Sequence, residues 1–162
     1  MDGVLTDFEG HCDDTNMRKH DGFPDYERMN DFNWFAKMKS YSGARKFYDD
    51  LCKLAKTWFL TAPIKHAECF GGKAEWVKSF VPERGSWVLA DLMIVASKDK
   101  ELIAGPGRIL IDDRKGNTDA WTAAGGIGIH HTGDYAETLL AVKKAISGFD
   151  KKSAVKPNIK RP

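Results

Sequence analysis

An apolar run, Ile109-Leu110-Ile111, ends on two adjacent carboxylates, Asp112 and Asp113. So short a run of isoleucine and leucine reads as a buried strand, which places the paired acids at its carboxyl end. Like charges side by side repel, and a counter-cation relieves the repulsion. Hard carboxylate oxygens suit Mg²⁺. Asp112 and Asp113 are therefore candidate metal ligands, one binding directly and the other through water; the competing reading is a solvated turn. A second acidic turn opens the chain, Met1-Asp2-Gly3-Val4-Leu5-Thr6-Asp7-Phe8.

The apolar pattern alternates along the rest of the chain. Ala44, Phe47, Leu51 and Leu54 recur at helical spacing and predict an amphipathic helix over 43–55. Trp58-Phe59-Leu60 predicts a short strand ending at Thr61-Ala62-Pro63, where proline stops the ladder. Residues 73–80 predict a helix, 87–89 and 92–96 one interrupted strand or two, 117–124 a helix capped by Asn117, and 127–130 a strand. A terminal helix over 134–147 starts at Asp134, with Glu137 completing a capping box. Short strands alternating with helices imply an α/β fold with an open parallel sheet. Ligands in such folds collect beyond the carboxyl ends of the strands. Thr61, the Ser97–Lys100 group and Asp112-Asp113 all fall there. Residues 9–40 are polar and irregular, with a turn at Gly22-Pro24-Asp25 and a short helix capped by Asp31 or Asn33; they read as a small helical cap inserted at roughly 9–42.

The bulk properties narrow the function classes. At 162 residues, 30% of them charged, the chain fits one globular domain over 1–149. Residues 150–162 read as a flexible basic tail carrying Lys151, Lys152, Lys156, Lys160 and Arg161. Removing those five charges from the net +2 leaves residues 1–150 at −3, so no stable nucleic-acid complex is expected. No apolar run approaches the roughly 20 residues of a membrane span, and no basic-then-apolar leader opens the chain. Three scattered cysteines, Cys12, Cys52 and Cys69, form neither a zinc motif nor a disulfide framework. A cytoplasmic protein is the expectation.

Other residues carry two readings each. Thr61 offers a hydroxyl and nearby backbone N–H groups to a phosphate, or simply caps a strand. Lys98 and Lys100 would neutralise a phosphate, or lie on an exposed turn. Lys73 is read as opening a helix, where the dipole disfavours a cation unless an anion shares the site. Phe8, Trp34 and Phe35 would stack on a planar ligand or pack the cap onto the core. Gly71-Gly72-Lys73 lacks the spacing and the following Ser or Thr of a Walker A loop, and Gly125-Gly126-Ile127-Gly128 reads as a tight helix-to-strand turn. The five histidines and Cys69 read as structural or surface residues.

Taken together, Met1–Phe8, Leu60-Thr61-Ala62-Pro63-Ile64-Lys65, Lys73–Val77, Lys98-Asp99-Lys100, Ile109–Arg114 and Asn117–Gly126 resemble the haloacid dehalogenase superfamily. Within it the likeness is to the 5′(3′)-deoxyribonucleotidases, whose relatives are common in phage and bacterial genomes; it covers roughly residues 1–149. The resemblance implies a Rossmann-like core and Mg²⁺-dependent hydrolysis of a deoxynucleoside monophosphate through an aspartyl-phosphate. It places the acid/base role on Asp2, whose carbonyl would join Asp112 and Asp113 on the metal. It assigns Thr61, Ala62, Lys73, Lys98 and Lys100 to the phosphate, and Phe8, Trp34 and Phe35 to the base and sugar. The family's attacking Asp belongs immediately before Met1, at the end of a central strand, and neither is in the sequence. A chain that starts late relative to its natural protein, or an inactive relative, explains this. Little or no turnover is expected of residues 1–162 by themselves. A sugar phosphate or polynucleotide 3′-phosphate as substrate, binding without turnover, and homodimerisation stay open.

Overall fold

A computed structural model describes residues 1–153. The elements are α1 (Phe8–Asp14), α2 (Phe32–Ala36), α3 (Ala44–Leu54), β1 (Phe59–Thr61), α4 (Ala67–Phe80), a 3-10 stretch (Pro82–Asp91), β2 (Leu92–Ile94), a second 3-10 stretch (Ser97–Ile103), β3 (Ile109–Asp112), α5 (Lys115–Ala123), β4 (Ile127–His130) and α6 (Tyr135–Ser153). The architecture is mixed α/β with parallel strand pairing. The strands do not form one open sheet, however. β1 pairs with β2 and β3 with β4, as two separate two-stranded units. The break falls between β1 and β3.

Several boundaries move from expectation for physical reasons. Residues 87–89 are 3-10 helix rather than strand, because Pro82 opens a helical turn and only Val88 of the three is buried. α4 begins six residues before Lys73, so Lys73 lies inside the helix instead of opening it. α5 begins at Lys115, and Asn117 turns its side chain back to Asp112 rather than capping. α6 continues to Ser153, so residues 150–153 are helical and not tail; the remainder of the proposed tail lies outside the described residues. The Asp134 carboxylate accepts from the amides of Ala136 and Glu137, as its capping position predicts.

The core is aromatic at the contacts that hold the layers together. α3 buries Ala44, Phe47, Tyr48 and Leu51 on one face. Phe47 stacks on Tyr135 of α6 at 4.4 Å, and Tyr48 stacks on Phe59 of β1 at 4.9 Å. Stacked aromatic pairs of this kind add about 0.5–1.5 kcal/mol beyond their area burial. The cap region is anchored by α2 against α4. Gly72 makes that approach possible: a Cβ there would lie 2.5 Å from the Phe32 carbonyl oxygen and 2.6 Å from Phe35 Cβ. Trp76 Nε1 donates to the Met38 carbonyl at 2.8 Å, pinning the chain after α2 to the same helix.

The acidic N-terminal turn is held from three sides. The amides of Val4, Leu5 and Thr6 all point to the Met1 carbonyl. Tyr135 donates its hydroxyl to the Val4 carbonyl at 2.6 Å. The Asp7 amide donates to Lys39 at 3.0 Å, and Thr6 is fully buried. Asp7 is spent locally: its carboxylate accepts from Gly10 N–H and the Tyr41 hydroxyl, capping α1.

Candidate functional site

Five chain segments converge on one cavity of about 500 Å³. The Met1–Gly3 turn, the end of β1, α4, the second 3-10 stretch and the end of β3 each contribute polar groups. Asp2, Thr61, Ala62, Lys73, Lys100, Asp112 and Asp113 line it together. The two acidic motifs touch. A Cβ on Gly3 would fall 2.2 Å from Asp113 Oδ2, so only a glycine, here at φ +68°, lets the turn lie against that carboxylate.

Two lysine–carboxylate units organise the floor. Lys73 is 2% exposed. Its Nζ donates to Asp2 Oδ2 at 2.5 Å, to Thr61 Oγ1 at 2.9 Å and to the Ala62 carbonyl at 2.7 Å. The Thr61 hydroxyl donates in turn to Asp2 Oδ2 at 3.1 Å, and the Thr6 hydroxyl to Oδ1 at 3.3 Å. Burial pushes the Asp2 pKa up, but Lys73, the N-terminal ammonium and the Thr61 hydroxyl outweigh it and hold the carboxyl below its usual range. In the second unit Lys100 Nζ donates to Asp112 Oδ2 at 2.7 Å, both side chains being buried. Asp112 Oδ1 accepts from the Arg114 amide at 3.0 Å and from Asn117 Nδ2 at 2.8 Å. Burial again raises the Asp112 pKa, and Lys100 followed by these donors brings it below normal.

Asp113 differs. Among the described residues no cation pairs with it, and desolvation against the N-terminal turn, then the charge of Asp112, push its pKa up. A carboxylate with raised pKa beside an ionised neighbour is short of positive charge, which fits a bound cation. The oxygen-only donor set of Asp2, Asp112 and Asp113 suits Mg²⁺. Among the described residues, however, no group of three or more His, Cys, Asp and Glu side chains is gathered closely enough to enclose an ion. Water would have to complete the shell, as it commonly does for Mg²⁺.

The apolar wall comes from the cap region. Phe8 and Phe35 line the cavity, as expected. Trp34 does not. It stands behind them, edge-on to Phe8 at 5.6 Å and to Phe35 at 4.9 Å, with its indole N–H given to Thr15. Its role is packing the cap. Lys98 is also outside the cavity: the 3-10 turn after Ala96 sends Lys98 to solvent and Lys100 inward. His131 is buried against Thr138 and His130 exposed, matching the expected opposite faces of a strand end. Cys69 is buried and accepts from the Ile64 amide; burial raises its pKa.

Some site residues were not singled out from sequence. Asn117 joins Asp112 to Ser97, whose hydroxyl donates to Asn117 Oδ1 at 3.1 Å. The signal was its place in the first turn of a helix, five residues after Asp112, which faces it back toward the strand end. Glu27 and Lys65 form an ion pair at the cavity rim, and His66 Nε2 donates to the Tyr26 carbonyl at 3.1 Å. These contacts join the cap to the loop after β1. No sequence pattern links residues nearly forty positions apart. No protein-family model matches the chain, and no curated protein matches it.

Proposed function

We propose that the chain is the body of a Mg²⁺-dependent phosphomonoester hydrolase, resembling the 5′(3′)-deoxyribonucleotidases of the haloacid dehalogenase superfamily. A (deoxy)nucleoside monophosphate is the proposed substrate. The observation that carries this is the meeting of Asp2, Thr61, Lys73, Lys100, Asp112 and Asp113 around one cavity beneath Phe8 and Phe35. Two lysines and a hydroxyl suit a phosphate dianion, and two carboxylates with the Asp2 backbone carbonyl beside them suit a cation that shares it. The aromatic pair suits a planar base.

Each residue then has a task. Lys73, Thr61 and Lys100 bind and orient the phosphoryl oxygens. Asp2 holds or moves the proton of the leaving oxygen. With Lys73 on its carboxylate, Asp2 is ionised and suited to act as a base. A phosphate that draws Lys73 Nζ away raises its pKa and lets it serve as an acid. Asp2, Asp112 and Asp113 would hold Mg²⁺, which when bound supplies charge neutralisation at the transferring group. The attacking carboxylate of the resemblance belongs to the position before Met1. Extending the chain there by an apolar strand ending in Asp should create Mg²⁺-dependent release of phosphate from deoxynucleoside monophosphates, abolished by Asp112→Asn. No gain over residues 1–162 in a screen of monophosphates would refute the hydrolase reading.

Binding without turnover is a second reading. It is favoured by the ion pairs themselves: Lys73 occupies Asp2 and Lys100 occupies Asp112, so neither carboxylate is free to attack phosphorus. Under this reading the extended chain binds the monophosphate and never releases phosphate.

A further inference from the structure

Two of the three carboxylates on the cavity floor have every oxygen held from within the chain. Asp112 Oδ2 takes Lys100 Nζ at 2.7 Å, and its Oδ1 takes the Arg114 amide and Asn117 Nδ2. Asp2 Oδ2 takes Lys73 Nζ at 2.5 Å and the Thr61 hydroxyl, and its Oδ1 takes the Thr6 hydroxyl. Asp113 alone of the three has no lysine on its carboxylate, among the described residues. Both ammonium groups are buried, Lys73 at 2% and Lys100 at 7% exposure. A buried ammonium group that gives up its carboxylate needs another anion in its place.

The two lysines are thus resident counter-ions, and they stand in the way of both ligands of the site. A divalent cation arriving alone meets the Lys100 ammonium on Asp112, and like charges repel. It also finds too few ligands, since no three acidic side chains among the described residues lie close enough to enclose it. A phosphate dianion arriving alone must take Lys73 and Lys100 from Asp2 and Asp112. That leaves three carboxylates without their cations beside a doubly charged anion. Each ligand by itself opens a charge imbalance that the other closes.

We propose that Lys73 and Lys100 are exchangeable counter-ions that couple the two halves of the site, so that a divalent cation and a phosphate dianion bind cooperatively and neither binds well alone. The inference rests on the hydrolase reading for the identity of the two ligands. The phosphate takes over both ammonium groups and leaves Asp112 free to join Asp113 on the cation. In the other order, the cation displaces Lys100 from Asp112 and releases it to the phosphate. Linkage makes the two effects equal: the factor by which phosphate tightens the cation is the factor by which the cation tightens phosphate.

Calorimetric titration of the 162-residue chain with MgCl₂ and with inorganic phosphate, singly and together and corrected for their association in solution, is the test. Saturating phosphate should tighten Mg²⁺ by about tenfold or more, and saturating Mg²⁺ should tighten phosphate by the same factor. Lys100→Met separates counter-ion exchange from simple bridging of phosphate by the metal. Without the competing ammonium group, Mg²⁺ alone should bind about fivefold or more tighter than to the wild type, while phosphate binds more weakly and the coupling shrinks. If that variant does not fold, the side-chain ¹⁵N signals of the wild-type lysines give the same answer. Mg²⁺ alone should shift the Lys100 signal, and phosphate should shift those of Lys73 and Lys100. A coupling factor near one, or competition between the ligands, overturns the proposal and leaves the phosphate site standing. So does a Lys100→Met chain that binds Mg²⁺ no better than the wild type, or a Lys100 signal that Mg²⁺ does not move. Failure of both ligands to bind, alone or together, overturns the hydrolase reading and this inference with it.

Discussion

Replacing Lys73 by methionine removes a cation that is 2% exposed and leaves three acceptors without it: Asp2 Oδ2, Thr61 Oγ1 and the Ala62 carbonyl. Breaking a buried ion pair by deleting one partner costs about 3–5 kcal/mol. The Asp2 side chain is 27% exposed, so water recovers part of this, and a loss of about 2–3 kcal/mol is expected at neutral pH. The pH dependence gives the sharper check. In the wild type the Asp2 pKa is depressed, so its contribution is present above the unfolded value of about 3.9 and fades as pH falls through the folded pKa. Without Lys73 the burial penalty gains on what remains of the favourable charge and hydrogen bonds, and the Asp2 pKa rises. The variant's penalty should therefore be largest at pH 7 and shrink toward pH 4, where Asp2 takes up a proton. Urea unfolding at both pH values measures it. Asp2→Asn in the same background should recover about half or more of the loss at pH 7. A penalty independent of pH, or strictly additive effects of the two substitutions, would refute the coupling.

Gly72→Ala places a methyl 2.5 Å from the Phe32 carbonyl and should cost about 1–3 kcal/mol in urea unfolding, because α2 must move off α4. Of the three cysteines, only Cys52 is exposed, while burial pushes Cys12 up to about 11 and Cys69 upward. Alkylation of the native chain at pH 8 should therefore show one fast thiol, with the other two reacting only on unfolding. Asp91 is 6% exposed and holds Lys56 and Arg84; burial raises its pKa but the hydrogen bonds from these two win and lower it. Asp91→Asn should accordingly destabilise the chain by about 1–2 kcal/mol at pH 7 and by less toward pH 3, measured by thermal unfolding.

The alternating pattern and the polar strand ends were legible because they are local. β3 with its carboxylates, β4, α3 and the Asp134 cap follow from residues within one turn or strand of each other. Thr61, Lys100 and Asp112 line one cavity, where the rule that ligands gather at strand carboxyl ends had put them, whereas Asp2 was brought there only by the resemblance. Trp34 and Lys98 were misplaced because one residue of rotation decides whether a side chain faces a cavity, and periodicity does not resolve it in a five-residue helix or a 3-10 turn. Lys73 was read as a helix start because the earlier turn of α4, Ala67–Gly72, is rich in small residues and two glycines. Those glycines serve the α2 contact, which is tertiary. The split of the strands into two pairs was invisible in the pattern, since each strand reads the same whether or not its outer edge is filled. Among the described residues no helix is long and apolar enough to cross a membrane, in keeping with the hydropathy.

The central claim is that Lys73, Lys100 and the facing carboxylates form one phosphate-sized site. Calorimetric titration of the 162-residue chain with a deoxynucleoside monophosphate, with and without Mg²⁺, tests it through two lysines two positions apart. Lys100→Met should weaken binding by about 10–100-fold, the worth of one charge-assisted hydrogen bond. Lys98→Met should leave it unchanged. Equal loss from both substitutions, or binding indifferent to Lys100, would contradict the site.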